Sequence, residues 1–430
     1  MKGYQEILDY LYGLERFGIK LNLSNTLSIL ERLGNPHREF PSIHVAGTNG
    51  KGSVAAMLQA ALSRAGYKTG LYTSPHVIDF RERIRIGTQK IAKKYVLSFI
   101  SDLKEEIETH RYTFFEVTTA LAFSYFAEKD VDIAVVETGL GGRLDSTNVL
   151  LPEVVIITRL SLDHTRILGN TLRQIASEKA GVIKTGVPTV AGSNKKEALD
   201  VIRSACKKRK SRFLSVSKQC DWAIKEKTLQ GSIFSLRCDS KRFGRLEIRL
   251  PGDHQVGNAA AAILALQQLK KKGWRVTDCS IKEGLKRVAW KARFETFKKR
   301  PRIILDVAHN PEGIKTLVKT LDELLPHRKV TFIFGVMSDK DYPQMLEKLS
   351  QKAETIILTR PDYHRSASTQ QLEKAIRKLH SRYRSFDRIK DAYSYALRAT
   401  SSSQAICVTG SHLTVGEFLA LPENSRRKLR

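Results

Sequence analysis

The chain has 430 residues, of which 41% are hydrophobic, and it carries a formal net charge of +29. This length suits two globular domains, and the apolar share excludes a disordered or fibrous protein. No stretch offers the roughly 18 uninterrupted apolar residues that a membrane span requires, so we expect a cytoplasmic protein without a membrane partner.

A phosphate-binding loop is predicted near the N-terminus. Apolar residues at helical spacing predict two helices within residues 1–32, which end at Gly34-Asn35-Pro36. A strand at 43–46 and a helix at 54–64 then flank Gly47-Thr48-Asn49-Gly50-Lys51-Gly52-Ser53. Turn glycines let backbone N–H groups converge on an anion, and the helix N-terminus and a lysine add positive charge. One glycine separates Lys51 from Ser53, which departs from the general P-loop pattern.

Polar groups follow the next predicted strands. Ligands of open α/β sheets collect at the carboxyl ends of the strands. Three strands deliver such groups: 69–72 precedes Ser74, 131–136 precedes Glu137, and 154–158 precedes Asp163-His164. We expect residues 79–85 to form a charged loop beside the nucleotide, and a helix over 172–182 to carry Lys179.

The second half of the chain predicts a further domain. Residues 212–250 alternate between apolar and polar, which indicates a small antiparallel set of strands, and an alanine-rich helix follows at 256–269. From about residue 297 strands and helices alternate again, which indicates a mostly parallel sheet. We therefore predict an α/β protein, with a P-loop ATPase domain over residues 1–296 and a smaller Rossmann-like domain over 297–430.

Seven motifs follow one another across almost the whole chain: Gly47 to Ser53, Tyr72 to His76, Glu137 to Asp145, Leu162 to His164, Glu178 to Gly181, His254-Gln255 with Asn258-Ala259, and Asp306 to Pro311. Together they resemble the folylpolyglutamate synthase/dihydrofolate synthase family of the Mur ligase superfamily. The resemblance implies that ATP phosphorylates a carboxylate of dihydropteroate or a folate and that the amine of L-glutamate displaces phosphate. Phosphoryl transfer between anions needs cations and alignment, and no protein nucleophile is required.

The resemblance also implies the residues that bind ATP and magnesium. The ATP contacts implied are Asn49, Gly50, Lys51, Gly52, Ser53, Asn258, Arg293 and Asp306. Two Mg²⁺ ions are implied at Ser74, Glu137, His164 and a carbamylated Lys179, and Lys51, Lys179 and His309 are the implied catalytic residues. Glu137 suits magnesium because this ion prefers oxygen ligands.

The residues alone leave other interpretations open. An imidazole is an unusual magnesium ligand, so His164 can instead be a structural residue beside Asp163. Lys179 can be a helix-surface lysine paired with a glutamate, Asn258 a helix cap, and Arg293 an exposed basic residue.

For the pterin, the resemblance implies three segments: Lys20, Leu21, Asn22 and Leu23; Thr113, Phe114, Phe115 and Glu116; and Leu144, Asp145 and Ser146. Phe114 and Phe115 can stack on a flat heterocycle, although aromatic residues at a helix start are also typical of a core. The chain has Lys291-Ala292 where the family has Pro-Gly, and Val307 where it has glycine. These departures leave the local backbone geometry open.

Other functions remain as alternatives. A Mur-type ligase for a non-folate carboxylate shares the ATP loop, but such enzymes carry an additional N-terminal domain, for which about 46 residues before Gly47 are too few. A non-enzymatic nucleotide switch would share the phosphate loop but would need neither a pocket for an amino acid nor a second domain that closes over the nucleotide. Nucleic-acid binding rests on charge alone, because the basic clusters lack interleaved aromatic residues. We expect a monomer that binds ATP, L-glutamate and dihydropteroate or a reduced folate, and no nucleic acid.

The cysteines predict neither a metal site nor a disulfide. They are odd in number and never form a C-x-x-C pair: Cys206, Cys220, Cys238, Cys279 and Cys407. Such a pattern is typical of reduced thiols in a cytoplasmic protein.

Overall fold

A computed structural model describes residues 3–18, 20, 22–379, 382–401 and 403–422. The chain divides into two units. The first comprises residues 1–223, 235–246 and 257–288, and the second comprises residues 224–234, 247–256 and 289–430. The domain boundary expected near residue 297 stays a prediction.

The first unit contains an eight-stranded sheet with the order β4-β3-β2-β5-β1-β6-β7-β8. Its strands are β1 Ser42–Ala46, β2 Thr69–Tyr72, β3 Ile84–Ile86, β4 Gln89–Lys90, β5 Ile133–Glu137, β6 Val154–Ile157, β7 Thr189–Ala191 and β8 Phe213–Ser215. β1 pairs in parallel with β5 and β6, and every residue of these three strands is buried. Strands that are buried along their whole length are typical of a parallel sheet covered on both faces, and they confirm the predicted strands.

Twelve helices are described in this part of the chain. They are α1 Tyr4–Gly13, α2 Ser24–Arg32, α3 Lys51–Arg64, α4 Lys93–Asp102, α5 Lys104–His110, α6 Phe114–Glu128, α7 Thr165–Leu168, α8 Leu172–Ala180, α9 Lys196–Lys208, α10 Val216–Gln219, α11 Asp253–Lys271 and α12 Asp278–Arg287. α3 directly follows β1, at the centre of the sheet. It packs closely on α12, because a Cβ atom on Gly284 would lie 2.5 Å from the Cα atom of Ala61.

The segment 79–85 is not the loop that the sequence suggested. Asp79 caps a 3₁₀ turn at Phe80–Arg83 by accepting a hydrogen bond from the Arg81 N–H, and β3 follows directly. β3 pairs antiparallel with both β2 and β4. The charged residues concealed this short strand, whose first residue, Ile84, is fully buried.

A three-stranded sheet with the order β11-β10-β9 is formed by β9 Cys220–Thr228, β10 Gly231–Cys238 and β11 Lys241–Ile248. Two-residue connections join antiparallel strands, so the predicted antiparallel set is confirmed. The expectation of five reduced thiols was wrong for one pair, because Cys220 and Cys238 form a disulfide. The hairpin brings the first residue of β9 beside the last residue of β10, and their spacing in the sequence gave no sign of this.

The second unit contains a six-stranded sheet with the order β12-β13-β17-β14-β15-β16. Its strands are β12 Glu295–Lys299, β13 Arg302–Leu305, β14 Val330–Phe334, β15 Ala353–Thr359, β16 Tyr383–Phe386 and β17 Ala405–Thr409. The helices are α13 Pro311–Leu324, α14 Tyr342–Ser350, α15 Thr369–Ile376, α16 Ile389–Ala399 and α17 His412–Ala420. All pairs are parallel except β12 with β13, so the predicted parallel sheet is confirmed. The polar strands β12 and β16 were missed.

Two features of this fold bear on function. β17 lies between β13 and β14, so the segments that follow β13 and β17 leave neighbouring strands at the same edge of the sheet. Within the described residues, no helix combines the length and the apolar character that crossing a membrane requires.

Candidate active site

The phosphate loop is held by backbone hydrogen bonds to the segment after β6. The N–H groups of Thr48 and Asn49 donate to the Arg159 carbonyl oxygen at 3.0 and 3.1 Å, and Thr158 Oγ1 donates to the Asn49 carbonyl at 2.9 Å. Gly47 has a φ of 146°, and a Cβ atom there would lie 1.8 Å from Thr158 Oγ1. Only glycine therefore lets the loop approach β6 this closely.

A Gly47→Ala substitution is expected to cost about 1–3 kcal/mol of the free energy of unfolding, because the new methyl group must displace Thr158. Gly66→Ala is the matched control. Gly66 also has a positive φ, of 97°, but a Cβ atom there would meet nothing within 4 Å. Thermal and denaturant unfolding measure both. Equal losses for the two variants would show that backbone strain, and not the contact with Thr158, makes glycine necessary.

The loop leads into the N-terminus of α3. Gly50 takes a left-handed conformation with a φ of 92° and precedes the helix, which begins at Lys51. The first N–H groups of a helix have no partner within it and carry partial positive charge, so this end is suited to a phosphate. The Asn258 side chain lies beside Gly50, because a Cβ atom there would be 2.6 Å from Asn258 Oδ1. Asn258 stands inside α11, so the helix-cap interpretation was wrong.

Glu137, Lys51 and Ser74 come together as the sequence analysis expected. Glu137 ends β5 and is only 4% exposed. Lys51 Nζ lies 3.7 Å from Glu137 Oε1, and the Ser74 N–H donates to Glu137 Oε2 at 3.3 Å. A carboxylate, an ammonium group and a serine thus meet at the ends of β2 and β5, beside the phosphate loop.

His164 contacts Asp163, as the structural interpretation supposed. The backbone N–H of His164 donates to Asp163 Oδ1 at 2.9 Å, and its Nε2 atom lies 3.9 Å from the same oxygen. The imidazole is 39% exposed, whereas the Asp163 side chain is 7% exposed. His164 therefore presents an accessible ring beside a buried carboxylate.

Across the part of the chain that the structure describes, no three His, Cys, Asp or Glu side chains converge on a metal position. Magnesium does not need such a cluster, because it is commonly bound by one or two carboxylates together with phosphate oxygens and water. The two carboxylate oxygens of Glu137, beside Ser74, are ligands of the type that this ion prefers. The residues present therefore fit a magnesium ion.

Lys179 is a buried amine at the base of the phosphate loop. It is 5% exposed, and its Nζ atom donates to the Gly47 carbonyl oxygen at 2.8 Å. Desolvation and the charge of Lys51 lower the pKa of Lys179 to about 7, against the opposing influence of Asp163, Asp145 and Glu137. The helix-surface interpretation was wrong, because the amine is buried, and its lowered pKa favours the neutral form more than in an exposed lysine.

In the second unit, Arg293, Asp306 and His309 lie around the end of β13. The Asp306 carboxylate accepts hydrogen bonds from the N–H groups of Phe294 and Ala308, both at 2.9 Å. Desolvation raises the pKa of Asp306, and the Arg293 charge opposes that shift. His309 Nδ1 donates to the Val307 carbonyl oxygen at 2.9 Å.

His412 is a further member of this group, and it was not predicted from the sequence. Its ring centroid lies 5.5 Å from that of His309, and its Nε2 atom lies 3.5 Å from Arg293 Nη2. The signal was present, because Gly410-Ser411-His412 follows β17, which neighbours β13. Nearby, Ala292 has a φ of 55°, the left-handed conformation that favours glycine. The alanine thus occupies a backbone position typical of the glycine in the family motif.

Comparison with known proteins now adds to this geometry. Residues 45–266 match the Mur ligase middle domain, and residues 292–412 match the Mur ligase glutamate ligase domain. The chain is 37% identical to the dihydrofolate synthase/folylpolyglutamate synthase of Bacillus subtilis, over 86% of this chain and 88% of that protein. The chain belongs to this family of Mur ligases.

Solved structures of this family have the same fold. Folylpolyglutamate synthase of Mycobacterium tuberculosis, in complexes with ADP and AMPPCP, superimposes with a TM-score of 0.89 at 28% identity, over 99% of each chain. FolC of E. coli, in complex with DHPP and ADP, superimposes with a TM-score of 0.87 at 28% identity, over 98% of each chain. The chain is thus an ATP-dependent ligase of the Mur type.

The second predicted pterin segment, residues 113–116, lies at the start of α6. Thr113 and Glu116 form a capping box, in which each side chain accepts a hydrogen bond from the backbone N–H of the other residue. Phe115 stacks on Tyr72 with ring centroids 6.0 Å apart, and a Cβ atom on Gly139 would lie 2.4 Å from Phe115 Cζ. Phe115 therefore packs against Tyr72 and Gly139 while its side chain stays partly buried.

Phe114 has different surroundings. Its ring stacks on Tyr12 at 5.9 Å, lies 6.3 Å from the Phe80 ring, and faces the Arg83 guanidinium at 5.0 Å. The ring is only partly buried. Phe115 is partly buried as well, so Phe114 differs from it in its neighbours, which include the Arg83 guanidinium.

The other two predicted pterin segments are held by hydrogen bonds. Lys20 Nζ donates to the Arg111 carbonyl at 2.7 Å, Asn22 Oδ1 accepts from Ser24 Oγ at 2.7 Å, and Leu23 precedes α2. Leu21 lies outside the described residues. Asp145, between the partly buried Leu144 and the buried Ser146, accepts hydrogen bonds from the Leu140 and Thr147 N–H groups at 2.8 and 3.0 Å, and desolvation raises its pKa.

Proposed function

We propose that this protein joins L-glutamate to dihydropteroate, to reduced folates, or to both, in a reaction that converts ATP to ADP and phosphate. The substrate carboxylate attacks the γ-phosphorus of ATP and forms an acyl phosphate; the glutamate amine then attacks the acyl carbon and releases phosphate. The observation that carries the proposal is the cluster of Lys51, Glu137 and Lys179 beside the phosphate loop. The likeness to FolC, solved with DHPP and ADP, supports the choice of ligands.

The phosphate loop is proposed to bind ATP through Asn49, Gly50, Lys51, Gly52 and Ser53. Its backbone N–H groups and the N-terminus of α3 hold the phosphates, and Lys51 neutralises charge as the γ-phosphoryl group moves to the substrate. The positions of Thr48 and Asn49 are fixed by the Arg159 carbonyl, so the loop needs little reorganisation when the nucleotide binds. Asn258, beside Gly50, is proposed to contact ATP as well.

Magnesium is proposed to bind at Ser74, Glu137 and His164, with two ions per active site. When bound, magnesium offsets the negative charge that otherwise keeps a carboxylate away from ATP. Lys51 holds Glu137 in place as an ionised ligand, and the Ser74 N–H fixes the second carboxylate oxygen.

Lys179 is proposed to carry a carbamate. Its neutral amine attacks CO₂, a proton leaves, and the product is an N-carboxylated side chain with one negative charge. The lowered pKa of about 7 supports this reaction, because the free amine is available near neutral pH. A carbamate here supplies an oxygen ligand for the second ion and places a negative charge near the positive charge of Lys51.

In the second unit, Arg293 and Asp306 are proposed to contact ATP, and His309 to act at the reactive phosphate. The hydrogen bonds from Phe294 and Ala308 fix the Asp306 carboxylate, and the Val307 carbonyl fixes the His309 ring. His412, which lies against both Arg293 and His309, is proposed to hold them in place. The division into an ATP domain over 1–296 and a ligase domain over 297–430 is part of the same proposal.

The pterin is proposed to stack on Phe114, between the segment of Lys20, Asn22 and Leu23 and the segment of Leu144, Asp145 and Ser146. Polar groups of Thr113, Glu116 and Asp145 then face its ring nitrogens. Glu116 supports this arrangement, because its Oε1 atom is buried and accepts no hydrogen bond within the described residues. A pterin amino group is a donor of the kind that this oxygen lacks.

The test is an assay of the purified protein with Mg-ATP, L-glutamate and either dihydropteroate or tetrahydrofolate, scored for phosphate release and for product mass. Product from both pterins shows a bifunctional enzyme, and product from tetrahydrofolate alone restricts it to chain extension. ATP turnover that depends on neither pterin would contradict the proposal and favour a Mur ligase for a non-folate carboxylate.

A further inference from the structure

Arg83 is a buried arginine without a carboxylate partner. It ends the 3₁₀ turn before β3 and is 8% exposed. Its Nε–H donates to His76 Nδ1 at 2.9 Å, and its guanidinium carbon lies 5.0 Å from the centroid of the Phe114 ring. In the described part of the chain no aspartate or glutamate forms an ion pair with it, although burial lowers its pKa and the charges of Glu15 and Glu137 partly offset that effect from beyond contact distance. Burial of a cation without a directly paired counter-ion is unfavourable, so this arrangement calls for an explanation.

The acidic residues of the same segment are engaged elsewhere. Asp79 pairs with Arg81 at 2.8 Å and with Lys90 at 3.0 Å. Glu82 Oε2 accepts a hydrogen bond from the Val77 N–H at 3.0 Å. The segment therefore neutralises Arg81 and supplies no carboxylate that pairs directly with Arg83, two residues further along.

The unused donors of Arg83 have the geometry of a carboxylate site. Its Nε–H is taken by His76, whereas the four N–H groups of its two Nη atoms find no acceptor among the residues that the structure describes. A guanidinium group presents such N–H groups as a planar fork that matches the two oxygens of a carboxylate. His76 Nδ1 accepts from Arg83, which fixes the orientation of that fork.

Arg83 also lies between the proposed pterin and phosphate positions. Its side chain faces Phe114, the proposed stacking residue. Its carbonyl oxygen accepts a hydrogen bond from the Thr73 N–H at 2.9 Å, and the next residue, Ser74, donates to Glu137. The backbone thus ties Arg83 to the end of β2, where the proposed magnesium ligands begin.

We propose that Arg83 binds a carboxylate of the pterin-bearing substrate and so positions it for phosphorylation, an inference that rests on the proposed function. Dihydropteroate has one carboxylate, on its benzoyl ring, and that group must be the one that reacts. A folate has instead the carboxylates of its glutamate. Either source supplies the anion that the buried guanidinium lacks.

The test compares equilibrium binding of dihydropteroate with that of its analogue in which hydrogen replaces the carboxylate. The full-length wild type is expected to prefer dihydropteroate by roughly 10- to 100-fold, the usual effect of hydrogen bonds to a charged group. Arg83→Gln should bind both compounds alike, with the affinity for the analogue unchanged. Arg83→Lys should keep part of the preference. Arg81→Gln, which removes a paired arginine of the same segment, should keep all of it.

A purely structural role predicts a different outcome. If Arg83→Gln weakens the binding of both compounds equally, or if it retains the full preference for dihydropteroate, the inference is wrong. Circular dichroism and ADP binding establish that each variant is folded. If Arg83→Gln does not fold, the preference of Arg83→Lys for dihydropteroate over the analogue tests the inference instead. Full preference in Arg83→Lys would then overturn the inference.

Kinetics distinguish the source of the carboxylate and separate this inference from the proposed function. A loss of kcat/KM in Arg83→Gln with dihydropteroate alone assigns Arg83 to the benzoyl carboxylate, and a loss with tetrahydrofolate as well assigns it to whichever carboxylate reacts. Wild-type protein that binds ADP but neither pterin would contradict the proposed function itself. Wild-type turnover with a fully active Arg83→Gln variant would contradict only the role of Arg83.

Discussion

The Glu137→Gln variant is expected to lose roughly 10³-fold or more in kcat while its fold persists, because charge stabilisation at a reacting phosphate commonly has effects of this size. The amide retains an oxygen that can accept from the Ser74 N–H, but it removes the negative charge 3.7 Å from Lys51. Without that charge the proposed magnesium ligand is lost, and Lys51 is no longer held in place.

The measurement is the rate of product formation at saturating ATP, glutamate and pterin, with circular dichroism and ADP binding as controls of folding. Glu153→Gln is the matched control, since Glu153 is a partly exposed residue that pairs with Lys272. It should remain fully active. Retention of activity by Glu137→Gln would contradict the assignment of this carboxylate.

The second large effect is expected for Lys179→Ala, which should reduce kcat to a similar extent. If the working group is a carbamate, then acetate or propionate added to the variant should restore part of the rate, because these anions can occupy the space of the missing group. Short amines should not restore it. Rescue by amines alone would show that the free ammonium group is the active form, consistent with its hydrogen bond to the Gly47 carbonyl.

If Lys179 is carbamylated, the activity of the wild-type enzyme should depend on CO₂ and on pH. The pKa of Lys179 is lowered to about 7, so the neutral fraction of the amine increases as the pH rises from 6 to 8. Enzyme depleted of CO₂ at pH 6 should therefore regain activity when CO₂ is restored, and, at equal concentrations of dissolved CO₂, faster at pH 8 than at pH 6. An unmodified Lys179 in the mass spectrum of fully active protein, analysed under conditions that preserve carbamates, would exclude the modification.

The phosphate loop and the strand ends could be predicted because local signals determine them. Buried parallel strands appear as continuous apolar runs, and polar residues directly after such runs must lie at the carboxyl edge of the sheet. Glu137 and Asp306 were found in this way. The turn glycines predicted the phosphate loop. The structure explains why residue 47 must be glycine, because Thr158 leaves no room for a Cβ atom there.

The features that were missed depend on tertiary neighbours. Cys220 and Cys238 are paired by a hairpin, and His412 joins Arg293 only because β17 lies beside β13. Arg83 resembles its charged neighbours in the sequence, and only the structure distinguishes it from Arg81, which has a partner. Lys179 was assigned to the site by its resemblance to a family motif. Its burial and its lowered pKa could not be predicted, because they follow from the packing around it.

The central claim, that this chain makes an acyl phosphate and transfers the acyl group to glutamate, is tested most directly with dihydropteroate whose carboxylate carries ¹⁸O. Together with Mg-ATP and L-glutamate, the protein is predicted to release phosphate that contains one ¹⁸O atom for each molecule of dihydrofolate formed. An enzyme restricted to chain extension should do the same with tetrahydrofolate whose glutamate carboxylates carry ¹⁸O. Unlabelled phosphate alongside labelled product, or ATP hydrolysis without any glutamylated product, would contradict the account.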